Sequence, residues 1–459
     1  MRKIFVMLMA AVLLSSAAYA GGIMTNTNQS ASYVRMLARD ASLGIDAVYF
    51  NPAGLTSFNN GFYLSLSNQT VMQNREITNE NPLLKNSVYE GKVFAPLFPS
   101  VYAVYKYDKL AFSFGFNPVG GGGGAEYERG LPSFETPIAS LVPLLSPFGV
   151  TDYRNDVFFE GSSIFFGAQL GVSYALTDMI SVFGGGRYVM ANNTYSGYLR
   201  NIEVSTPFGW MKPGDYLRAI APGAPPAQQP VILGTAAVID EQTADAEVDA
   251  KQSGSGFTPI IGFSFKPSDR FNVGIKYEFI TKLELENETT VDGTGMFPDG
   301  AKTNNDMPAM LSVGAAFKAT PKLNIAGGVH YFFDKSADYG KSLPNDQVID
   351  DNYLEFALGF EYNLSPEFLV SLGYLRTQTG VNEKYQSDLS HSLNTNSIGL
   401  GGQYSITNNI ALNLGFLYTM YEGDEITINY GTGIGEHKES YIRNNMVFAL
   451  GIDFKIPVR

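Results

Sequence analysis

The side chains that most often do chemistry are few in this chain and lie far apart. Its three histidines are His330, His391 and His437, and it contains no cysteine. Disulfides and thiolate metal sites are therefore excluded, and no G-x-S-x-G or H-E-x-x-H motif accompanies a histidine. His330 alternates with Val329 and Tyr331 in a strand-like run, which favours a polar wall residue over a catalytic one. We expect no enzyme, no metal site and no cofactor.

A glycine run and several acidic clusters are the other candidates for ligand chemistry. Gly120–Gly124 resembles a phosphate-cradling loop in its glycine content, but no Lys-Ser/Thr pair and no helix follow it. The acidic pair Asp350-Asp351 and the cluster at 422–425 are more typical of solvated loops than of cation sites. The formal net charge of −13 argues against nucleic acid as a partner, because phosphates require a basic face.

The first twenty residues are typical of a secretory signal peptide. Two basic residues precede an apolar run, and the A-x-A triplet at 18–20 is a cleavage site. We therefore predict that residues 1–20 are removed. No later segment reaches ~18 consecutive apolar residues, so no transmembrane helix is predicted.

Most of the remaining chain alternates between apolar residues and polar or small ones. Leu354, Phe356, Leu358 and Phe360, for example, alternate with glutamate, alanine and glycine. Because side chains in a strand point to opposite faces with a period of two, such runs predict strands with one apolar and one polar face. A soluble sandwich would show the same alternation. The connections between the strands decide between a soluble sandwich and a membrane barrel.

The connections alternate between short turns and long polar loops. The short turns lie near residues 107–109, 177–178, 267–269, 320–322, 365–367 and 407–409. The long segments lie at 73–97, 118–160, 192–253, 285–308, 335–351, 378–393 and 421–438. Thirteen connections make fourteen strands, and an even strand number with short turns at one rim is typical of an outer-membrane barrel. We predict an all-β fold, with residues 61–459 forming a fourteen-stranded antiparallel transmembrane barrel.

Residues 21–60 lack the alternation and precede the first strand. They contain Asn51-Pro52-Ala53-Gly54, in which Asn-Pro followed by Gly predicts a tight turn. A signal peptide, this segment and fourteen strands together resemble the long-chain fatty acid transporter family, the FadL and TodX type, over essentially the whole mature chain. The resemblance implies that residues 21–60 form a hatch inside the lumen, and that Asn51 to Gly54 make the turn into the first strand.

The third predicted strand, which starts at Leu110, contains residues that should not occur in a paired wall. Proline cannot donate a ladder hydrogen bond, and glycine weakens a strand or permits a bulge. One interpretation is that the strand ends at Phe116, and the other is a kink in the wall. The resemblance implies a kink that opens a lateral exit. The candidate exit residues are Phe116, Asn117, Pro118, Gly120, Gly121 and Gly122.

Two of the long loops are more apolar than a solvated loop should be. Exposed apolar patches usually mark a contact, so these loops either pack on neighbouring loops as a lid or form the wall of a groove for an alkyl or aromatic ligand. The resemblance implies a groove that captures the substrate. The candidate ligand-binding residues are Leu141, Val142, Leu144, Leu145, Phe148, Phe208 and Trp210.

The resemblance implies passive transport of hydrophobic molecules, such as long-chain fatty acids or related lipids and hydrocarbons, across the outer membrane of a Gram-negative cell. The expected partners are that hydrophobic small molecule and outer-membrane lipid, and the chain is expected to be a monomer. A general diffusion porin or an adhesive surface barrel is the alternative, and a barrel hydrolase is the least favoured. Arg35 and Arg39 are available to a carboxylate ligand, although the sequence does not fix their direction.

Overall fold

The computed structural model describes residues 23–431 and 434–457, and most of them lie in long strands. The strands are β1 (Gly61–Asn79), β2 (Val88–Tyr107), β3 (Leu110–Tyr127), β4 (Asp152–Ala175), β5 (Ile180–Thr206), β6 (Gly209–Met211), β7 (Ala246–Ser268), β8 (Phe271–Glu278), β9 (Glu284–Asp292), β10 (Lys302–Asn304), β11 (Met310–Lys318), β12 (Leu323–Phe332), β13 (Leu354–Asn363), β14 (Phe368–Gln378), β15 (Thr395–Thr407), β16 (Ile410–Tyr421), β17 (Asp424–Asn429) and β18 (Glu436–Pro457). The α-helices are α1 (Ala31–Arg35), α2 (Ala47–Phe50), α3 (Pro132–Ala139), α4 (Leu141–Leu145), α5 (Pro213–Ile220), α6 (Gln229–Gln242) and α7 (Asn345–Val348). Short 3-10 helices lie at Pro52–Ser57, Ser146–Phe148, Ala221–Gly223 and Asp334–Ser336.

The strands close into one antiparallel barrel with fourteen wall strands, as the sequence predicts. The pairs β8/β9 and β10/β11 are the two halves of interrupted wall strands, while β6 and β17 are short pieces paired to β5 and β18. The barrel closes where β1 pairs with β18, from Gly61 opposite Pro457 to Asn79 opposite Glu439. Both ends of the wall therefore lie at the short-turn rim.

The strands extend well beyond the predicted ones. Residues 73–97 were expected to form one long loop, yet β1 continues to Asn79 and β2 begins at Val88. The alternation of apolar and polar residues ends at Val71, because beyond that point neither face of the strand is uniformly apolar. The backbone ladder continues regardless, since β1 pairs with β2 and β18 over its full length. Alternation thus marks only the apolar-faced part of each strand.

The outer surface of the barrel carries an apolar belt. Large side chains such as Leu170, Leu414 and Leu450 are more than half exposed on paired strands, and exposed aromatic residues flank them. A continuous exposed apolar surface of this kind is typical of the lipid-facing band of a membrane barrel. Among residues 23–431 and 434–457, no helix is long and apolar enough to cross a membrane.

The inside of the barrel holds the N-terminal segment, residues 23–60. From Ile23 to Leu55 nearly every residue is buried, and its apolar side chains form one hydrophobic cluster with inward-facing residues of the wall. Tyr33 stacks on Phe50 within the segment, with ring centroids 5.3 Å apart. This packing places the segment in the lumen of the barrel.

A belt of wall glycines gives the segment room. On eight consecutive wall strands, inward-facing glycines lie so close to residues 31–41 that an added Cβ would meet the segment. We call these glycines the glycine belt. Its members are Gly274, Gly314, Gly328, Gly359, Gly373, Gly399, Gly401, Gly415 and Gly451. The absence of a side chain lets the two backbones approach closely, so the belt fixes the path of the segment around the wall.

Buried ion pairs join the same segment to the wall. Glu361 of β13 accepts from the Nη1 atoms of Arg35, at 2.8 Å, and Arg39, at 3.1 Å. His330 of β12 lies between Asp40, at 2.6 Å, and Glu355 of β13, at 2.7 Å. Removing one partner of such a buried group leaves an uncompensated charge, which costs about 3–5 kcal/mol. The segment is therefore held at defined points and not merely packed.

Candidate functional site

The wall of the barrel is incomplete between β2 and β3. Their ladder runs from Tyr107 opposite Leu110 to Val101 opposite Phe116, then stops and resumes only at Lys92 opposite Glu126. We call the unpaired stretch between these points, residues 117–125 of β3, the wall gap. On its other side β3 stays paired with β4 throughout, with bulges around Pro118 to Gly123. The strand therefore does not end at Phe116, and it separates from one neighbour only.

The backbone of β3 turns toward the lumen at the gap and pairs with the N-terminal segment. Thr25 forms a bridge with Gly120, the Asn26 amide donates to the Val119 carbonyl at 2.8 Å, and the Gly121 amide donates to the Met24 carbonyl at 3.3 Å. The glycines permit this path, because Gly121 has a φ of 80°, a conformation that L side chains rarely adopt. Three residues of the segment thus replace β2 as the partner of β3.

The six candidate exit residues all lie at this place. Phe116 is the last residue paired with β2, and its ring stacks on Phe166 with centroids 5.4 Å apart. Asn117 donates to Gln29 of the N-terminal segment, and the remaining four, Pro118 and Gly120 to Gly122, form the inward turn. On the facing strand β2, Phe94 and Leu97 are about 70% exposed, so the outer edge of the gap is apolar.

A groove opens among the loops at the long-loop end of the barrel. Its volume is about 560 Å³, and its lining is mainly apolar. Helix α6 contributes Val238, the outer part of β4 contributes Phe158 and Phe159, and the turn after β9 contributes Met296 and Phe297. Ring contacts with α3 and β5 hold these side chains, including an edge-to-face pair between Phe134 and Phe159. The result is a preformed, mainly apolar concave surface of the kind that small-molecule sites have.

The carboxylate of Asp292 shapes the turn after β9. It accepts from the Thr294 hydroxyl at 2.7 Å and from the Phe297 amide at 2.8 Å. The group is thereby satisfied within the turn, which presents Met296 and Phe297 to the groove. No sequence motif indicated this arrangement, although the apolar pair within a polar loop was a visible signal.

The seven candidate ligand-binding residues lie elsewhere among the loops. None of them is among the described residues that line the groove. Leu141 and Leu145 are buried in a cluster with Tyr216, Ile232 and Ile239, and Val142 packs against this cluster. Of the others, Leu144, Phe148 and Phe208 are exposed, and Trp210 lies under the Arg154 guanidinium at 4.7 Å. Their arrangement resembles a packed lid, and a contact with ligand stays a prediction.

One buried carboxylate joins this packed lid to the neighbouring strands by hydrogen bonds. Glu135 of α3 accepts from the Tyr89 hydroxyl and from the Tyr153 hydroxyl, the latter at 2.5 Å. Burial, together with the hydrogen bond to this carboxylate, raises the pKa of both phenols, so they donate as neutral groups. The loop between β3 and β4 is thus fastened to β2 and β4 on the long-loop side of the wall gap.

Of the four candidate hatch-turn residues, Asn51 joins α2 to the 3-10 helix at Pro52–Ser57, and Pro52, Ala53 and Gly54 are the first three residues of that helix. The Asn51 side chain donates to the Ser42 carbonyl at 3.1 Å. The carbonyls of Pro52 and Ala53 accept from the hydroxyls of Ser173 and Ser181, at 2.6 and 2.7 Å. A Cβ on Gly54 would lie 2.5 Å from the Asn51 amide nitrogen. The turn therefore lies against the inner wall, a few residues before β1.

The two arginines considered for a carboxylate ligand are already paired. Besides Glu361, Arg39 binds Asp46 at 2.6 Å, and Arg35 also donates to Ser371. Both arginines line a polar cavity of about 320 Å³ at the short-turn end, far from the groove in the fold. Within the described part of the chain, no group of three or more His, Asp or Glu side chains has an arrangement that could hold a metal ion.

Comparison with known proteins identifies the fold but not the family by sequence. No family model matches the chain, and no curated protein matches its sequence. Among solved structures, a FadL homologue of Pseudomonas aeruginosa covers 95% of this chain and 99% of its own at 14% identity, with a TM-score of 0.65. The Pseudomonas putida toluene transporter TodX is 15% identical, covers 92% of this chain and 97% of its own, and has a TM-score of 0.55.

The toluene transporter TbuX of Ralstonia pickettii is similar to the same degree. It is 18% identical, covers 90% of this chain and 94% of its own, and has a TM-score of 0.54. Identities this low establish the shared architecture and leave substrate and mechanism to be argued from the residues themselves. The chain has the fold of the FadL-type barrels, as the resemblance implied.

Proposed function

We propose that the chain is a passive outer-membrane channel for hydrophobic molecules, which enter through the loop groove and leave sideways through the wall gap. The observation that carries this proposal is the loss of pairing over residues 117–125. In hydrocarbon each unsatisfied backbone group costs several kcal/mol. A wall strand that gives up its neighbour, and turns to the N-terminal segment instead, therefore needs a functional reason.

Lateral release suits a hydrophobic solute for an energetic reason. Each methylene removed from water gains ~0.8 kcal/mol, so a path from the groove to the bilayer that avoids the periplasm keeps that gain. The outer edge of the gap, with Phe94 and Leu97 exposed, offers such a path. No energy source is required, because partitioning into lipid drives the release.

The buried N-terminal segment argues against the general diffusion porin. A fourteen-stranded barrel is wide enough for water, but here residues 23–55 pack against the wall and against each other. In this proposal they are the hatch, and the polar cavity behind Arg35 and Arg39 is not the route of the substrate. The solved structures of similar fold, two of them described as toluene transporters, support a hydrophobic substrate.

A single cysteine in the wall gap tests the exit. The chain has no cysteine of its own, and at Gly124 an added Cβ would meet nothing closer than Ser162, at 3.4 Å. Labelling Gly124→Cys with a bulky maleimide should fill the gap and reduce uptake of a radiolabelled fatty acid or alkane by about tenfold or more, equivalent to a barrier of at least ~1.4 kcal/mol.

The matched control is Phe114→Cys on the same strand. Phe114 is paired with Ala103 and faces outward, so the same label there should leave uptake unchanged. Uptake that persists in the labelled Gly124→Cys protein would mean that the gap is not the exit. Equal inhibition at both positions would point to a general disturbance of the barrel.

A further inference from the structure

The wall has a second break, between β7 and the wall strand that β8 and β9 make up. The ladder to β7 runs as far as Glu278 opposite Ile260, stops, and resumes only where Glu286 is opposite Ser253. Residues 279–285 lie between these two points without a ladder to β7. We call these seven residues the inner step.

Two glycines of β7 show in which direction the inner step is displaced. Gly254 and Gly256 face the lumen, because they alternate with the exposed, outward-facing residues of the strand. A Cβ on Gly254 would collide with the Glu284 carbonyl oxygen, and one on Gly256 with the Lys282 carbonyl oxygen. Glycine within a strand often marks such a close approach of another backbone. The inner step therefore lies across the inner face of β7.

The inner step holds Met307 against the wall gap. Thr281 of the step and Met307 exchange two backbone hydrogen bonds of 3.0 Å each, and Met307 is 4% exposed. A Cβ on Gly120 would lie 3.4 Å from the Met307 Cε atom. A side chain from the connection between β10 and β11 thus lies against the inward turn of β3, although the two are far apart in the sheet.

Apolar side chains close the wall gap on its lumen side. Met24, Phe165 and Met307 are buried in one hydrophobic cluster. Phe165 is opposite Gly120 in the ladder between β3 and β4, and the Met24 carbonyl accepts from the Gly121 amide. An aromatic ring is rigid, whereas methionine has three rotatable bonds and adapts its shape. The Met307 side chain can therefore turn aside while its backbone stays bonded to the inner step.

We propose that Met307 sets the width of the exit on its lumen side. A slender solute, such as an unbranched alkyl chain, passes when this side chain turns aside, whereas a broad solute, such as a molecule of fused rings, is held back. Packing in a protein interior is too dense for a broad solute to pass without a wider opening. This inference rests on the proposed lateral release, because it names the substrate class that the exit admits.

Uptake of two hydrocarbons with the same number of carbon atoms, hexadecane and pyrene, tests the role of Met307. It is measured in cells whose outer membrane carries the full chain, and uptake by cells without the chain is subtracted. Met307→Ala should raise pyrene uptake about tenfold or more, because removing side-chain atoms from a constriction admits a broader solute. Hexadecane uptake should change by less than about twofold, which also shows that the variant is folded. Met307→Leu conserves the volume and should behave as the wild type.

Equilibrium binding separates the exit from the groove. The fluorescence of pyrene reports its binding to the detergent-solubilised full chain. The affinity should be the same in the wild type and in Met307→Ala, because the substitution acts on passage and not on capture. An affinity that rises in parallel with pyrene uptake would place the effect in capture and overturn the inference.

Met310→Ala is the matched control. Met310 is buried in the same cluster but lies in the ladders of β11, opposite Glu278 and Phe332, so its truncation should leave the hexadecane-to-pyrene ratio unchanged. An unchanged ratio in Met307→Ala, or an equal change in Met310→Ala, would overturn the inference and leave lateral release intact. Failure of the wild-type chain to carry either hydrocarbon would instead contradict the proposed function itself.

Discussion

Deleting residues 23–48 is expected to turn a closed barrel into an open pore. These residues occupy the lumen, where Arg35 and Arg39 pair with the wall carboxylate of Glu361 and Asp40 pairs with the wall residue His330. Without the segment, Glu361 would lose both arginines and His330 would keep only Glu355 as a partner, at about 3–5 kcal/mol for each broken pair. Water entering the lumen relieves that cost, so the barrel should survive with a hydrated interior.

Single-channel conductance in planar bilayers measures this change. We expect the full chain to show little or no conductance and the deletion variant to conduct as a wide, water-filled barrel does. Deletion of residues 224–243 is the control, because it removes the whole of α6 from the outer loops without touching the lumen. Wild-type conductance in the 23–48 deletion would show that the segment does not occlude the barrel.

Replacing glycines of the glycine belt with larger residues is expected to displace the N-terminal segment from the wall without removing it from the chain. Gly373 and Gly399 are opposite each other on β14 and β15, and both lie against Leu37. Added side chains there would collide with the segment backbone, and overpacking of this kind costs about 1–3 kcal/mol per site. The double variant Gly373→Val, Gly399→Val should therefore raise conductance toward that of the deletion.

The neighbouring glycines Gly327 and Gly328 of β12 provide a matched pair. A Cβ on Gly328 would collide with Asp40, whereas one on Gly327 would meet only the Ala357 carbonyl, at 3.6 Å. Valine suits a strand better than glycine does, so Gly327→Val should leave the barrel closed and Gly328→Val should open it. Equal behaviour of the two variants would mean that the belt does not seat the segment.

The sequence predicts the barrel because its signals are local. Alternation along each strand and turn residues at each short connection identify fourteen strands and their order. The residues that alternate with Leu358, Phe360 and Leu372 are polar or small, and this pattern predicts one strand face without large side chains. That nine inward positions of the wall are glycines facing one buried segment could not be inferred, because the segment lies more than 200 positions away in the chain.

The candidate site likewise has one part that local sequence signals predict and another part that depends on contacts between distant residues. Pro118 and the glycines after it break the local rules for a wall strand, so the place of the gap could be predicted. Their pairing with Thr25 joins residues about 95 positions apart (120 − 25) and has no local signal. The groove is assembled from α3, β4, β5, α6 and the turn after β9, whereas the apolar run at Leu141 to Leu145 packs mainly within its own loop cluster.

The most direct measurement is a map of where a photoactivatable amphiphile labels the chain. A diazirine placed at the end of the alkyl chain, and then at positions nearer the headgroup, would report the path by mass spectrometry of the labelled peptides. Labels are expected at Phe158 and Met296 in the groove and at Phe94 and Leu97 beside the gap.

Release into the periplasm would give a different and equally specific pattern of labelled residues. Passage through the hatch toward the periplasm would place labels on the polar cavity at the short-turn end, which Ser42, Leu43 and Lys318 line. Labels there, together with unlabelled residues at the gap, would contradict lateral release. Labels that run from the groove to Gly122 and Leu97, and spare Ser42, are the result that lateral release predicts.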